Sequence, residues 1–221
     1  MRYTLNTSRG FSKNQLSLNS FFILINVVFF ILVWIFLLTG IFSQNFFNEN
    51  IALSLENIKQ FRIWTLITSM FMHGGFFHLF ANIISLMFIG SLVEKIIGKK
   101  RYLWFYLISG FLASLFYLLS ELIFPTGLGA VGASGALFGL VGLLVLLTPD
   151  LPVYLMFIPI PIKMKYAGPG ILILLWFISV TGNLPIGNTA HLGGLIAGLI
   201  YGIYLRQKFP NKVRKLGRMF R

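Results

Sequence analysis

Six apolar runs, separated by short polar stretches, organise this chain of 221 residues. They cover residues 21–42, 76–97, 102–124, 131–147, 167–181 and 190–205. Runs of this kind predict membrane-spanning helices, because a helix satisfies its own backbone inside lipid and about 20 residues cross the hydrocarbon. The first run is too long for a signal-peptide core and no small-residue cleavage pattern follows it, so it is read as the first helix. Its lone polar residue, Asn26, is expected to make a helix–helix hydrogen bond. Residues 43–65 are too polar to span, and the amphipathic stretch Phe61, Arg62, Ile63, Trp64 suits a loop lying at the interface. Pro149, Pro152, Pro159 and Pro161 interrupt the segment between the fourth and fifth runs, where no regular helix would persist. The expected fold is all-α: a six-helix membrane domain over 21–205, with polar tails at 1–20 and 206–221.

Composition agrees with that pattern. Hydrophobic residues make up 57% of the chain and charged ones 10%, far from the balance of a soluble domain. With no cysteine, disulfides, thiolate metal sites and cysteine nucleophiles are excluded. A net charge of +13 raises the question of nucleic acid, but the bases are placed as topology signals instead. The N-tail has three, the second loop four (Lys95, Lys99, Lys100, Arg101), the fourth loop two (Lys163, Lys165) and the C-tail seven, together 16 of the 18 on one face of a six-span bundle. The positive-inside rule then puts both termini in the cytoplasm, the basic C-tail touching anionic lipid, with no nucleic-acid partner.

The candidate chemistry sits at the opposite ends of three helices. In this topology the second, fourth and sixth helices all run inward from the outer face. His73, His78 and Asn82 open the second, Ser134 the fourth and His191 the sixth, and these are the only three histidines in the chain. Polar groups at one depth of a membrane bundle are best explained by a wet site. The fourth and sixth runs are shorter than a full span, and the glycine-rich loop 125–133 has to dip to meet the fourth, so Ser134 is expected in a submerged, hydrated recess. His191, Gly194, Gly198 and Gly202 share one stripe of the sixth helix and Gly135, Gly139 and Gly142 one of the fourth. Close packing of the two would bring imidazole to hydroxyl for proton abstraction. His78 and Asn82, four residues apart, share a face from which both side chains could donate to an oxyanion beside the Ser134 backbone N–H, each such donor being worth about 3 kcal/mol of barrier. A helical two-histidine zinc site needs a four-residue spacing with a glutamate between, and His73 and His78 are five apart. An aspartyl dyad needs two aspartates, and Asp150 stands alone. No acid lies near His191, so the expected machinery is a Ser–His dyad without metal or cofactor.

Three motifs in this order are similar to one known family: His73-Gly-Gly-Phe-Phe-His78-Leu-Phe-Ala-Asn82, Gly132-Ala-Ser134-Gly135, and Ala190-His191-Leu-Gly-Gly194 with Gly198 beyond. Over roughly residues 55–205 the chain resembles the rhomboid intramembrane serine proteases of the six-helix prokaryotic type. The resemblance implies Ser134 as nucleophile, His191 as general base, His78 and Asn82 as oxyanion side chains, and His73 as a supporting group. It matches Arg62 to the arginine of a first-loop Trp-Arg pair, although Phe61 stands where tryptophan is usual. It makes Glu94 with Lys95 a structural feature and the fifth helix, with Leu174, Leu175, Trp176 and Phe177, a lateral gate for a substrate helix. The implied activity is endopeptidase cleavage of another protein's transmembrane segment near its outer end, in a prokaryotic plasma membrane. A non-catalytic relative that binds transmembrane helices is the rival expectation, which retention of both Ser134 and His191 disfavours.

Overall fold

The computed structural model describes residues 17–154 and 160–220. The basic residues Arg2, Arg9, Lys13 and Arg221, and Pro159, lie outside the described residues. The chain is a mostly helical membrane protein. Four stretches are long and apolar enough to cross a bilayer: Leu18–Leu38, Phe76–Ile97, Lys99–Ile123 and Met164–Gly182. The fourth run forms a shorter apolar helix, Ser134–Leu147, and the sixth a 21-residue helix, Asn188–Lys208, which continues past the run into the basic Arg206 and Lys208.

In chain order the helices are α1 (Leu18–Leu38), α2 (Gln44–Asn50), α3 (Leu55–Lys59), α4 (Thr65–Thr68), α5 (Phe76–Ser85), α6 (Ser91–Ile97), α7 (Lys99–Ile123), α8 (Ser134–Leu147), α9 (Met164–Gly182), α10 (Asn188–Lys208) and α11 (Pro210–Arg218). The loop expected at 43–65 is thus largely helical, because Ser43 and Ser54 cap α2 and α3 through their hydroxyls. The proline-punctuated segment after α8 holds a two-residue antiparallel ladder, Pro152–Val153 against Ile162–Lys163. The C-tail, expected as a plain anchor, forms α11, whose Val213 and Leu216 pack on the core while its basic residues stay exposed, Lys212 lying over the Phe209 ring.

The second span is one helix in two parts. A π-turn over Leu86–Gly90 joins α5 to α6, and a π-turn leaves a carbonyl short of its usual partner. Asn19 supplies one: its amide donates to the Leu86 carbonyl (2.8 Å) and to Ser91 Oγ (3.0 Å), while its own oxygen accepts from the Tyr102 hydroxyl (2.7 Å). Gly90 is required here, since a Cβ at that position would run into the Asn19 side chain. The buried Glu94 carboxylate accepts from the Leu18 and Asn19 N–H groups (3.0 and 2.9 Å) and so caps the start of α1. The helix–helix hydrogen bond expected of Asn26 is therefore made by Asn19. Asn26 itself donates to the Phe22 carbonyl one turn back in its own helix (2.7 Å).

α8 is the axis of the molecule, with Leu140, Leu143 and Leu144 wholly buried. Lipid tails are as apolar as leucine, so what holds α8 is close packing rather than a water-driven collapse. Gly194 of α10 lies on the Gly135 carbonyl, Gly198 on the Gly139 carbonyl, and Gly142 on the Leu195 carbonyl. Any side chain at these places would meet backbone. The small-residue face of α8 serves a second neighbour as well: at Gly135 and Gly139 the missing side chains leave room for Ala113 and Ser109 of α7. Three helices meet there, so the stripe read as an α8–α10 seam is shared.

Candidate active site

The expected outer-end residues converge where α5, α8 and α10 begin. The loop before α8 is held on three sides. Leu53 and Ala130 exchange both backbone hydrogen bonds (2.9 and 2.8 Å), and the Gly132 N–H donates to the Ser69 carbonyl (2.9 Å). At the far end of α7, the buried Glu121 carboxylate accepts from the Thr126 and Gly127 N–H groups and the Thr126 hydroxyl, and the Tyr117 hydroxyl donates to the Leu128 carbonyl. The loop backbone is thus covered by protein, as irregular structure would have to be at membrane depth.

Ser134 is the first residue of α8, and the first helical hydrogen bond is Leu137 N–H to the Ala133 carbonyl (3.0 Å). The N–H of Ser134 therefore has no acceptor within the helix and faces outward at its positive end. His191, in the first turn of α10, places Nε2 2.7 Å from Ser134 Oγ. The imidazole stacks on Phe138, one turn along α8, at 4.6 Å between ring centres and 20° between planes. Its Nδ1 is buried without a hydrogen-bond partner among the described residues. Among the described residues, then, no carboxylate bonds the imidazole, which packs on Phe138.

His78 lies across from this pair. Its Nδ1 accepts from the Gly74 N–H (3.3 Å), which puts the ring proton on Nε2. That nitrogen points toward Gly132. A Cβ at Gly132 would lie 2.9 Å from His78 Nε2 and 3.4 Å from Ser134 Oγ, and the φ of Gly132 is +136°. Glycine is needed at this position for both reasons, and the space it leaves open is bounded by a histidine donor and the serine hydroxyl.

The remaining expected residues take other places. Asn82 is buried on the same face as His78, but its amide donates to the His78 carbonyl (2.8 Å), so one of its two N–H bonds is committed to its own helix. His73 is buried with both ring nitrogens unpartnered among the described residues and stands edge-on to His78, 5.1 Å between centres. Burial first, and the neighbouring His78 second, lower its pKa to about 3, so it is neutral. Arg62 belongs to the first loop: it bonds Glu49 (3.0 Å) and Asn57 Oδ1 (3.2 Å), and neither Ser134 nor His191 is among its partners. Asn57, not expected from sequence, is the hub there, donating to the Asn48 and Ala52 carbonyls (2.7 and 2.8 Å). Glu121 was missed likewise, though a lone acid closing an apolar helix before Pro-Thr-Gly was a signal that it must find donors.

The Rhomboid domain family model matches residues 60–208, two thirds of the chain. The chain belongs to the rhomboid family.

Among similar proteins from Arabidopsis thaliana, RHOMBOID-like protein 1 is 39% identical over 150 residues, 66% of this chain and 35% of its own length. "RHOMBOID-like protein 12, mitochondrial" is 33% identical over 191 residues, 78% of this chain and 55% of its own. "Inactive RHOMBOID-like protein 8" is 32% identical over 163 residues, 70% of this chain and 43% of its own. This rhomboid therefore spans about a third to a little over half the length of these relatives. They are plant proteins, one of them named mitochondrial, so the prokaryotic plasma membrane expected from the six-helix resemblance finds no support in them. They also include a protein named inactive, so membership leaves activity to be argued from the residues present in this chain.

Proposed function

We propose that this rhomboid is an intramembrane serine endopeptidase that cleaves transmembrane segments of other membrane proteins near the end opposite its basic face. In this reading all six runs cross the bilayer, α8 and α10 start below the surface, and both ends of the chain lie on the positively charged side. The observation that carries the proposal is the 2.7 Å approach of His191 Nε2 to Ser134 Oγ, with the imidazole stacked on Phe138.

The reaction follows from these atoms. His191 Nε2 takes the Ser134 proton as Oγ attacks the scissile carbonyl carbon. The carbonyl oxygen becomes an oxyanion in the space left by Gly132, accepting from the Ser134 backbone N–H and from His78 Nε2–H, with the second Asn82 N–H available beside them. The imidazolium then gives its proton to the leaving amine nitrogen as the C–N bond breaks. Water, deprotonated by the same histidine, hydrolyses the Ser134 ester to a carboxyl end and restores the hydroxyl. Gly135, Gly194 and Gly198 keep the two helices close enough for this, and Arg62 and His73 support the surrounding loops. α9, exposed along much of its length, is the element past which a substrate helix would enter.

The test is cleavage of a fluorogenic transmembrane-segment substrate by the purified chain in bilayers. Activity is expected, and Ser134→Ala and His191→Ala should each abolish it while helicity is retained. Unchanged cleavage by either variant would refute the dyad. Absence of cleavage by the unsubstituted chain against a panel of such substrates would favour the helix-binding alternative.

A further inference from the structure

A second built feature lies at the basic face, away from the candidate dyad. Between α7 and α10 runs a trough of about 630 Å³, apolar along its length and cationic at one end. The two helices are antiparallel, α7 starting and α10 ending on the basic side, so their charged ends are neighbours: Arg101 lies 5.1 Å over the ring of Phe209, and Lys208 donates to the Tyr204 hydroxyl (2.6 Å). From this end Lys100, Trp104, Ile108 and Leu112 descend α7 at four-residue intervals and form one wall. The buried Ala197 of α10 keeps the floor deep.

We infer that this trough is a binding site for an anionic phospholipid, one acyl chain lying between α7 and α10 and the phosphate facing Lys100 and Arg101. The inference rests on the proposed orientation, in which α7 spans the bilayer with its basic end at a headgroup layer, and not on catalysis. Three observations on the molecule fix the occupant. First, the wall from Lys100 to Leu112 rises through twelve residue steps, about 18 Å at 1.5 Å per residue, close to one leaflet of a ~30 Å hydrocarbon core. A second protein helix would need a groove running on through the other leaflet. Second, the two cations at the mouth have no acidic rival: the chain has five carboxylates, and none of the ion pairs among the described residues involves Lys100 or Arg101. Basic pockets between helices at that level recognise lipid phosphates. Third, Trp104 and Tyr204 flank the mouth, the position where amphipathic rings settle at the headgroup level.

Trp104 is also the reporter. The chain has four tryptophans, and Trp34, Trp64 and Trp176 are all substantially exposed, so replacing those three by Phe leaves Trp104 as the sole indole. This chain is reconstituted in phosphatidylcholine bilayers carrying either dibromo-phosphatidylglycerol or dibromo-phosphatidylcholine at equal mole fraction, and fluorescence quenching is compared. The expected result is an apparent association on the order of tenfold stronger for the anionic lipid, reduced by 0.5 M salt, since two cations act at the headgroup level. Lys100→Gln with Arg101→Gln should remove the preference while quenching by the neutral lipid and helicity stay unchanged. Equal quenching by the two lipids in the tryptophan-reporter chain would overturn the proposal. A preference that survives the double substitution would overturn the assignment to these cations. No quenching by either lipid would mean that protein, such as a second copy, covers the trough, and would overturn it too. None of these readouts involves Ser134, so they hold whether or not the chain cleaves peptides.

Discussion

α8 and α9 are successive apolar helices, yet the bundle treats them differently. Eleven of the 14 residues of α8 are buried, from Gly135 to Leu147. Of the 19 residues of α9 only Met164, Ala167, Gly168 and Leu172 are, all in its first half, and Leu174, Trp176, Phe177 and Val180 stand exposed beyond them. The contrast comes from size. Glycine and alanine along α8 admit neighbouring backbones, so that it is wedged against α7 and α10. The bulky second half of α9 keeps its neighbours at a distance. A helix carrying Ser134 has to hold Oγ to a fraction of an ångström, whereas one at the edge gains from being held loosely. Tight packing at the site and slack packing beside it thus have one origin, the distribution of small residues.

The comparison can be broken at its tight side first. Gly198→Leu inserts a side chain where α10 touches the Gly139 carbonyl, so the helices must part; cleavage should fall below detection and the thermal midpoint should drop sharply, and a protein that keeps both would show that the seam is not what positions His191. Gly132→Ala should act on the site alone. Its Cβ would press on His78 and its φ of +136° is strained for alanine, so kcat should fall roughly 100-fold, the size of one lost oxyanion donor, with a far smaller change in stability. At the slack side the expected effect is smallest: Phe177→Ala should shift stability by under about 1 kcal/mol without lowering kcat, whereas Leu143→Ala, at a wholly buried position of α8, should cost about 2–5 kcal/mol. Equal losses for the two, measured by denaturation in one detergent, would erase the distinction.

What was legible beforehand was what repeats locally. The second run, 76–97, coincides with the observed span, and the fourth and fifth helices lie within three residues of their expected ends. Hydrophobic length alone decides those. A six-span reading puts the starts of alternate helices on one face, and the structure does bring His78, Ser134 and His191 together there. What escaped was the choice of hydrogen-bond partners. Asn19, Glu94, Asn57 and Glu121 are each buried; Asn19 and Glu94 reach distant groups, a π-turn carbonyl and a helix start, while Asn57 and Glu121 close irregular loops a few residues away in the chain. A sequence shows that such a residue needs partners but not which ones. Asn26, chosen for a helix–helix bond because it stood alone in an apolar run, found its acceptor one turn away in its own helix. α11 was hidden by its charge, since two apolar residues on one face suffice to dock a short helix on a core already formed.

The pairing of Ser134 with His191 is the central claim, and active-site labelling reaches it directly. The purified chain in bilayers would be treated with a fluorophosphonate and the adduct located by peptide mass spectrometry. A single adduct on Ser134, absent from the His191→Ala protein, is the expected result. An adduct on another serine, or labelling of Ser134 that proceeds equally fast without His191, would contradict the account.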